Sequence, residues 1–398
     1  MSNFTAKPYK LNNTIQNYEW GTRDSEAFIP KFLGLAPEAD KTYAELWIGA
    51  HPKAPSMLSY NDENVSLEKF IEQFPVEILG KSVADKFDGK LPFLLKVLSA
   101  RKALSIQTHP NKKQAEELHK KDPVNYPDDN HKPEIAIAID YLNAIVGFKP
   151  VEEIKKIFID FPEIEVLTGK ELFNKFNETG SQESLKEIYG KIINCNEEEI
   201  KPVLLLIKEK IENKNSPEDF EKQFLNEFGE YGIDVGLFSI LIFNYVKLKS
   251  GEGIFTDAGV PHAYLKGNII ECMANSDNVV RAGLTPKFKD VNTLSEILDY
   301  STEKPEILGN INDDVTEYST SAKEFELSVI SVKNETEKTI NSETVIIYLV
   351  TEGELKISTD NSDYTFVKGE TVLIPAALNK FSLTLKPEAK VVQVVIPK

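Results

Sequence analysis

Cysteine is nearly missing: Cys195 and Cys272 are the only two among 398 residues. That excludes a disulfide framework and fits a reducing cytoplasm. Long apolar runs are missing too. The best stretch, VGLFSILIFNYV at residues 235–246, falls short of the ~18 residues of a membrane span and carries Asn244. The opening MSNFTAKPYKLNN has no apolar core, so no secretory signal is expected. Positive charge is the third shortage. The 46 Lys and Arg residues face 63 Asp and Glu, a net charge of −17. Such a chain lacks the basic field that nucleic-acid binding needs. It also repels small anions, so an anionic substrate requires a local basic cluster. Histidine is scarce: His51, His109, His119, His131 and His262 are all there are.

What is present is an ordinary globular composition, long enough for two or three domains. Residues 1–60 read as short strands and turns, with a buried strand at YAELWI, residues 43–48. SLEKFIEQF, residues 66–74, has an N-cap serine and helical apolar spacing. LPFLLKVLSA (91–100) and KALSIQTHP (102–110) are apolar runs joined by a short polar turn, which predicts a hairpin. A polar surface helix follows at 111–121. EIAIAID, residues 134–140, alternates: Ile135, Ile137 and Ile139 point one way, Glu134, Ala136 and Ala138 the other.

At Pro150 the pattern turns helical and charged. It includes an N-cap and N1 proline at Ser216-Pro217 and closes on an apolar helix, IDVGLFSILIFNYVK, at 233–247. Strand character returns at Gly253, with one more short helix at 292–299. From about residue 307, seven short strands predict a sandwich or barrel. The expected organisation is therefore a β domain over 1–150 and 248–306, a helical insertion over 151–247, and a second β domain over 307–398. GEGIFTDAGVPH (251–262) can also be laid on GETVLIPAALNK (369–380), which puts His262 on Lys380. Two related barrels, the second without a metal ligand, explain this echo; so does chance recurrence of strand–turn chemistry.

Three histidines need weighing. His119 lies on a polar helix and reads as solvated, and His51 sits in a Pro-rich loop as a hydrogen-bonding residue. Ser105, Gln107 and His109 share one strand face. Such a polar face usually meets solvent, but the neighbouring run around Lys96 is almost wholly apolar. A buried Lys96 needs an anionic partner or a ligand phosphate. Glu134 opens a strand whose own face is otherwise alanine, leaving room beside the carboxylate. Lys132 points the same way, so an edge salt bridge is the bland alternative. His131 points away, as a structural hydrogen-bonding residue. His262 follows a Gly-Val-Pro turn. Two histidines, a glutamate and a glutamine oxygen suit a borderline divalent cation: Zn²⁺, with Mn²⁺ or Co²⁺ also possible. Spacing alone leaves this set suggestive, because the residues are dispersed.

YPDDNHKPE (126–134) and HAYLKGNIIECMANSDNVVRAGLTPK (262–287) resemble the two motifs of the type I phosphomannose isomerases. NYEWG (17–21) and LSIQTHP (104–110) are similar to further segments of that family, and the resemblance covers the whole chain. It implies a cupin-like jelly-roll fold with one zinc ion held by Gln107, His109, Glu134 and His262. It implies Arg281 as the catalytic arginine and places Trp20, Lys96, Ser105, Lys132, Glu271 and Lys287 around the substrate. The implied reaction interconverts mannose 6-phosphate and fructose 6-phosphate through a cis-enediol, feeding GDP-mannose metabolism. Glu271 and Lys132 are acid–base candidates, and Lys96, Ser105 and Lys287 candidates for the phosphate. A monomeric cytoplasmic enzyme is expected. Two other classes stay open: a non-haem iron cupin oxygenase, which uses two histidines and a carboxylate, and a catalytically silent sugar-phosphate-binding regulator.

Overall fold

The computed structural model describes residues 4–309 and 314–397. Its organising pair is two long antiparallel strands, Glu134–Phe148 and His262–Ala274. They form the middle of a nine-stranded sheet. Phe243–Lys249 lies outside the first; Phe93–Ala100, Glu45–Gly49 and Thr14–Gln16 follow beyond the second. The alternation at 134–140 holds. Ile135 and Ile137 enter one core with Ile139 against it, while Ala136 and Ala138 enter another on the opposite face. Small alanines there leave space on the face that carries Glu134.

The predicted hairpin is not formed. Phe93–Ala100 and Ile106–Thr108 do not pair with each other; both pair with the strand from His262. The turn between them is a corner that hands the chain from one end of that strand to the other. The strand from His262 also breaks its own alternation. Opposite Asn143 and Ala144 the register skips Leu265, so Lys266 and Tyr264 face consecutive partners. This bulge reverses the parity of the strand. Tyr264 and Ile269 thereby share one core, whereas Leu265 packs towards the helices and Ile270 towards the C-terminal β region.

The helical block runs from Val151–Asp160 to Gly236–Ile242. The apolar helix expected to reach 247 stops at Ile242. Phe243–Lys249 is a strand on the edge of Glu134–Phe148, and its Val246 and Leu248 are buried while Lys247 and Lys249 are exposed. That alternation was the overlooked signal. Ser216 is not an N-cap either: the helix begins at Asp219, and Glu221 accepts the Glu218 backbone N–H at 2.8 Å. The block packs behind the strands Ile106–Thr108 and Val280–Gly283, sharing a core with Ile106, Val280, Ala282 and Leu284. Asp234 Oδ1 accepts the backbone N–H of both Gly236 and Leu284 at 2.7 Å, which ties helix to strand.

The C-terminal region forms two facing sheets. The larger has the order Tyr9–Leu11, Thr371–Ile374, Ile346–Glu352, Lys390–Val395, Glu326–Ser331, Val315–Tyr318. The smaller holds Thr336–Asn341, Lys380–Leu385, Glu354–Ser358 and Asp363–Val367. Two of these strands, Val315–Tyr318 and Thr336–Asn341, escape the sequence reading; TEKTIN is polar and largely exposed. The larger sheet packs Val329, Ile347, Leu349 and Val392 against Ile135, Ile137 and Ile270 on the back of the nine-stranded sheet. Both segments of the internal echo fold as strand, turn, strand, with His262 and Lys380 each opening the second strand. Among the described residues no helix is long and apolar enough to cross a membrane.

Candidate metal centre

Strand register assembles the site. Gln107 lies opposite His262 on one side and opposite Arg281 on the other, so the three side chains form a row on one face. A second row runs Trp47, Lys96, Glu271, Ala136 across four strands. The bulge at Leu265 lets both rows face the same interior, although His262 and Glu271 have opposite parity in the sequence.

His109, Glu134 and His262 converge there, almost wholly buried, with their ligand atoms all within 4.8 Å of one another. His109 Nε2 is 3.5 Å from Glu134 Oε2, and His262 Nε2 is 2.8 Å from Glu134 Oε1. Two ligands on one tetrahedral zinc stand about 3.3 Å apart, so this spacing fits a shared cation. The tautomers fit as well. His109 Nδ1 donates to the Asn278 carbonyl at 2.7 Å, and His262 Nδ1 donates to the Val260 carbonyl at 3.0 Å. Each imidazole then presents a bare Nε2. Both Nε2 atoms and Glu134 Oε2 are buried without a hydrogen-bond partner. Buried polar atoms rarely stay unsatisfied, and three such acceptors pointing together describe a cation site.

The electrostatics agree. Burial pushes the His109 imidazole down to about 4, and the Lys132 ammonium adds to this, so the ring is neutral. Burial alone would raise the Glu134 carboxyl, but its neighbours, the Lys132 ammonium foremost, outweigh it and hold Glu134 well below the usual range. Lys132 Nζ stands 3.6 Å from Glu134 Oε2. Tyr264 donates its hydroxyl to Glu134 Oε1 at 3.1 Å.

Beside these residues, Lys96 Nζ donates to Glu271 Oε2 at 2.7 Å and lies 3.8 Å from Glu45 Oε2. Burial works against the Lys96 charge, but Glu271 and Glu45 raise its pKa above the ordinary value. The Glu271 carboxyl is raised by burial, with Lys96 opposing. Of the two partners expected for a buried Lys96, the structure supplies the anionic side chain. Arg281 is half-buried in a recess lined by Tyr126, Phe288 and Asp290, and no carboxylate of the described residues pairs with it. Trp20 borders the alanine-lined core, and Ser105 is half-buried just ahead of the strand carrying Gln107. Lys287 is exposed on the loop after Val280–Gly283. His131 binds Glu324 at 2.8 Å as a structural group, and His119 is not simply solvated: its Nδ1 donates to the Tyr126 carbonyl at 2.7 Å.

Sequence reasoning missed Tyr264 and Glu45. Tyr264 stands two residues after His262 on the same strand face, a spacing that would have flagged it. Glu45 is the one acid in an otherwise apolar strand.

Comparison with known proteins converges on one family. Residues 9–151 match the type I phosphomannose isomerase catalytic domain, and residues 314–395 match the mannose-6-phosphate isomerase cupin domain. The mannose-6-phosphate isomerase of Saccharomyces cerevisiae is 42% identical over 75% of this chain and 75% of its own. Mannose-6-phosphate isomerase 2 of Arabidopsis thaliana is 37% identical over 92% and 88%. A variant of the Salmonella typhimurium phosphomannose isomerase superposes with a TM-score of 0.90 at 30% identity, covering 98% of this chain and 100% of that one. A mannose 6-phosphate isomerase solved with zinc and yttrium superposes at 0.88, also 30% identical, over 99% and 100%. Sequence, cupin architecture and the buried His-Glu-His cluster all agree: the chain belongs to the type I phosphomannose isomerase family.

Proposed function

We propose that this chain is a zinc-dependent aldose–ketose isomerase acting on mannose 6-phosphate and fructose 6-phosphate. The observation that carries the proposal is the convergence of two bare imidazole nitrogens and one carboxylate oxygen in a member of this family. His109, Glu134 and His262 hold the ion, with Gln107 as a fourth ligand from the same row; Mn²⁺ or Co²⁺ can substitute. When bound, the ion supplies Lewis-acid polarisation of the sugar oxygens about C1 and C2.

The remaining chemistry belongs to the protein. Isomerisation removes a proton from one of these carbons and returns it to the other through a cis-enediol. Glu271 is suited to this transfer: burial lifts its carboxyl, and Lys96 keeps it chargeable. Lys132 is the partner that gives and takes the oxygen-bound proton. Arg281 brings a forked, permanently charged donor to the enediolate oxygen. Trp20 and Ser105 line the sugar, and Lys287, on its exposed loop, meets the phosphate together with Ser105. Lys96 acts by holding Glu271 instead of by meeting phosphate directly. Lys132, Lys287 and Arg281 form the local basic cluster that a chain of net charge −17 needs for an anionic substrate.

The same reading divides the chain into a catalytic cupin domain over 1–150 and 248–306, the inserted helices, and a C-terminal cupin domain from 307. It places a monomeric enzyme in the cytoplasm, where the free Cys195 and Cys272 stay reduced. Family membership favours isomerisation over oxygen chemistry. An intact Arg281, Glu271 and ligand set argues against a silent binder. A coupled assay on mannose 6-phosphate, with and without chelator, tests the proposal. Turnover that chelator abolishes and zinc restores is expected. Oxygen consumption on iron loading, or binding without turnover in the zinc-loaded protein, would overturn it.

A further inference from the structure

We infer that Asp128 is a positioning residue for the metal centre, acting through the Asn278 carbonyl on the tautomer of His109. The inference rests on the metal reading of His109, Glu134 and His262, and it adds a dependence that the ligands alone do not disclose.

The two histidines are oriented by different means. His262 donates Nδ1–H to Val260, two residues before it in the Gly-Val-Pro turn, so its partner comes from its own approach to the strand. His109 donates to Asn278, 169 residues away, in the turn between Ala274 and Val280. That turn has no regular structure of its own. It is stapled to the loop before Glu134, and Asp128 is the staple. Asp128 Oδ1 accepts from the Ser276 hydroxyl at 2.8 Å, the Asn278 side-chain amide at 3.1 Å and the Asn130 backbone N–H at 3.0 Å. Its Oδ2 accepts the Asp277 backbone N–H at 2.6 Å, and its carbonyl accepts the Asn278 amide at 2.7 Å. The Asn130 carbonyl takes a further bond from Ser276 at 3.0 Å and one from Asn278 at 3.0 Å. Asn278 is fully buried, so its carbonyl has no water to fall back on.

One carboxylate thus fixes three consecutive residues, and the third of them decides which His109 nitrogen is protonated. If the carbonyl moves away, the proton is free to pass to Nε2, and that nitrogen stops being a ligand. Arg281 lies three residues downstream, second in the strand that begins at Val280, so the staple also sets where that strand begins. Outer-shell partners of ligating histidines typically weigh about 10–100-fold in metal affinity.

Zinc affinity by chelator competition, together with ¹⁵N-histidine NMR of the metal-free and zinc-loaded full chain, tests this. With only five histidines, each imidazole tautomer can be assigned. The unaltered protein is expected to bind one zinc and to show His109 and His262 both as Nδ1–H tautomers; no stoichiometric zinc would sink the metal reading itself. Asp128→Ala is expected to weaken zinc about 10–100-fold, to shift His109 towards Nε2–H and to leave His262 unchanged. On a His109→Ala background the same change should add little. Unaltered affinity with His109 still Nδ1-protonated overturns the inference. So does an equal loss on the His109→Ala background, or a shift of both histidines together, since each marks a general loosening. Asp128→Asn, which keeps one acceptor oxygen, should fall between the two; if Asp128→Ala fails to fold, the same criteria apply to this variant.

Discussion

Lys96 and Glu271 stand directly opposite each other on neighbouring strands and close a buried ion pair of 2.7 Å. Both side chains are buried. Lys96→Met leaves Glu271 as an uncompensated buried charge, and such removals cost about 3–5 kcal/mol. The loss should be smallest at acidic pH and largest at alkaline pH. Without Lys96, burial raises the Glu271 carboxyl further, so the variant recovers stability as pH falls and Glu271 is protonated, and loses it as pH rises. Urea unfolding of the metal-free protein at mildly acidic and at alkaline pH measures this. A Lys96→Met protein as stable as the parent at both would show that the pair contributes nothing.

Removing ligands separates metal from fold. In His262→Ala and in Gln107→Ala, bound zinc after dialysis against chelator should fall together with turnover. Full activity in metal-stripped His262→Ala would end the ligand assignment.

Arg281→Ala should keep its zinc and its melting temperature and lose turnover on the order of 10²–10³-fold, the usual weight of a donor on developing negative charge. Arg281→Lys should restore little, because a point charge does not reproduce the fork. Loss of zinc in Arg281→Ala would instead make the residue structural.

The helical block meets the strand of Arg281 backbone to backbone. A Cβ at Gly283 would lie 2.4 Å from the Gly236 Cα, a distance no real contact tolerates. Gly283→Ala should therefore separate helix and strand, lower the melting temperature and reduce kcat. Zinc should remain, since no ligand lies on that strand. Wild-type kcat and melting temperature in Gly283→Ala would show that the two elements can part without consequence.

Glu227 supplies a pH signature distant from the chemistry. Burial lifts its carboxyl from 4.5 to about 7, against a hydrogen bond from Gln223, and its Oε2 has no partner. The protonated form suits the fold, so this stabilisation is complete below pH 4.5 and is lost as pH rises through about 7. Glu227→Gln stays neutral and keeps the Gln223 contact. It should unfold later than the parent at alkaline pH, by at most ~3 kcal/mol, and the advantage should vanish towards pH 4.5. A pH-independent difference would locate the effect elsewhere.

The chemistry was more legible in this chain than the topology that assembles it. The alternation of Ile135, Ile137 and Ile139 against Glu134, Ala136 and Ala138 stands in the sequence because period two is local. So does the approach of His262 out of its Gly-Val-Pro turn. The bulge at Leu265 is not local: it exists only against Asn143 and Ala144 on a strand more than a hundred residues earlier. The false hairpin has the same origin. Residues 91–110 carry strand patterns, but the strand that both runs pair with begins at His262, and no short-range signal announces it. Lys96 was recognisable as a buried charge needing an anion. That the anion is Glu271 depended on the same distant register.

The larger C-terminal sheet takes an edge strand from the start of the chain, Tyr9–Leu11, and an interior strand from its end, Lys390–Val395. Its interior therefore cannot close until Lys390–Val395 is available, while Tyr9–Leu11 waits for partners that come only after both the nine-stranded sheet and the helical block. In the interval Ile346–Glu352 and Glu326–Ser331 lack the strand that will lie between them. The apolar back of the nine-stranded sheet, Ile135, Ile137 and Ile270, lacks the layer that will cover it. Such sticky, unpaired surface is what chaperones engage. For this enzyme the hazardous stage of biogenesis is the wait for Lys390–Val395, well after the metal ligands have all been made.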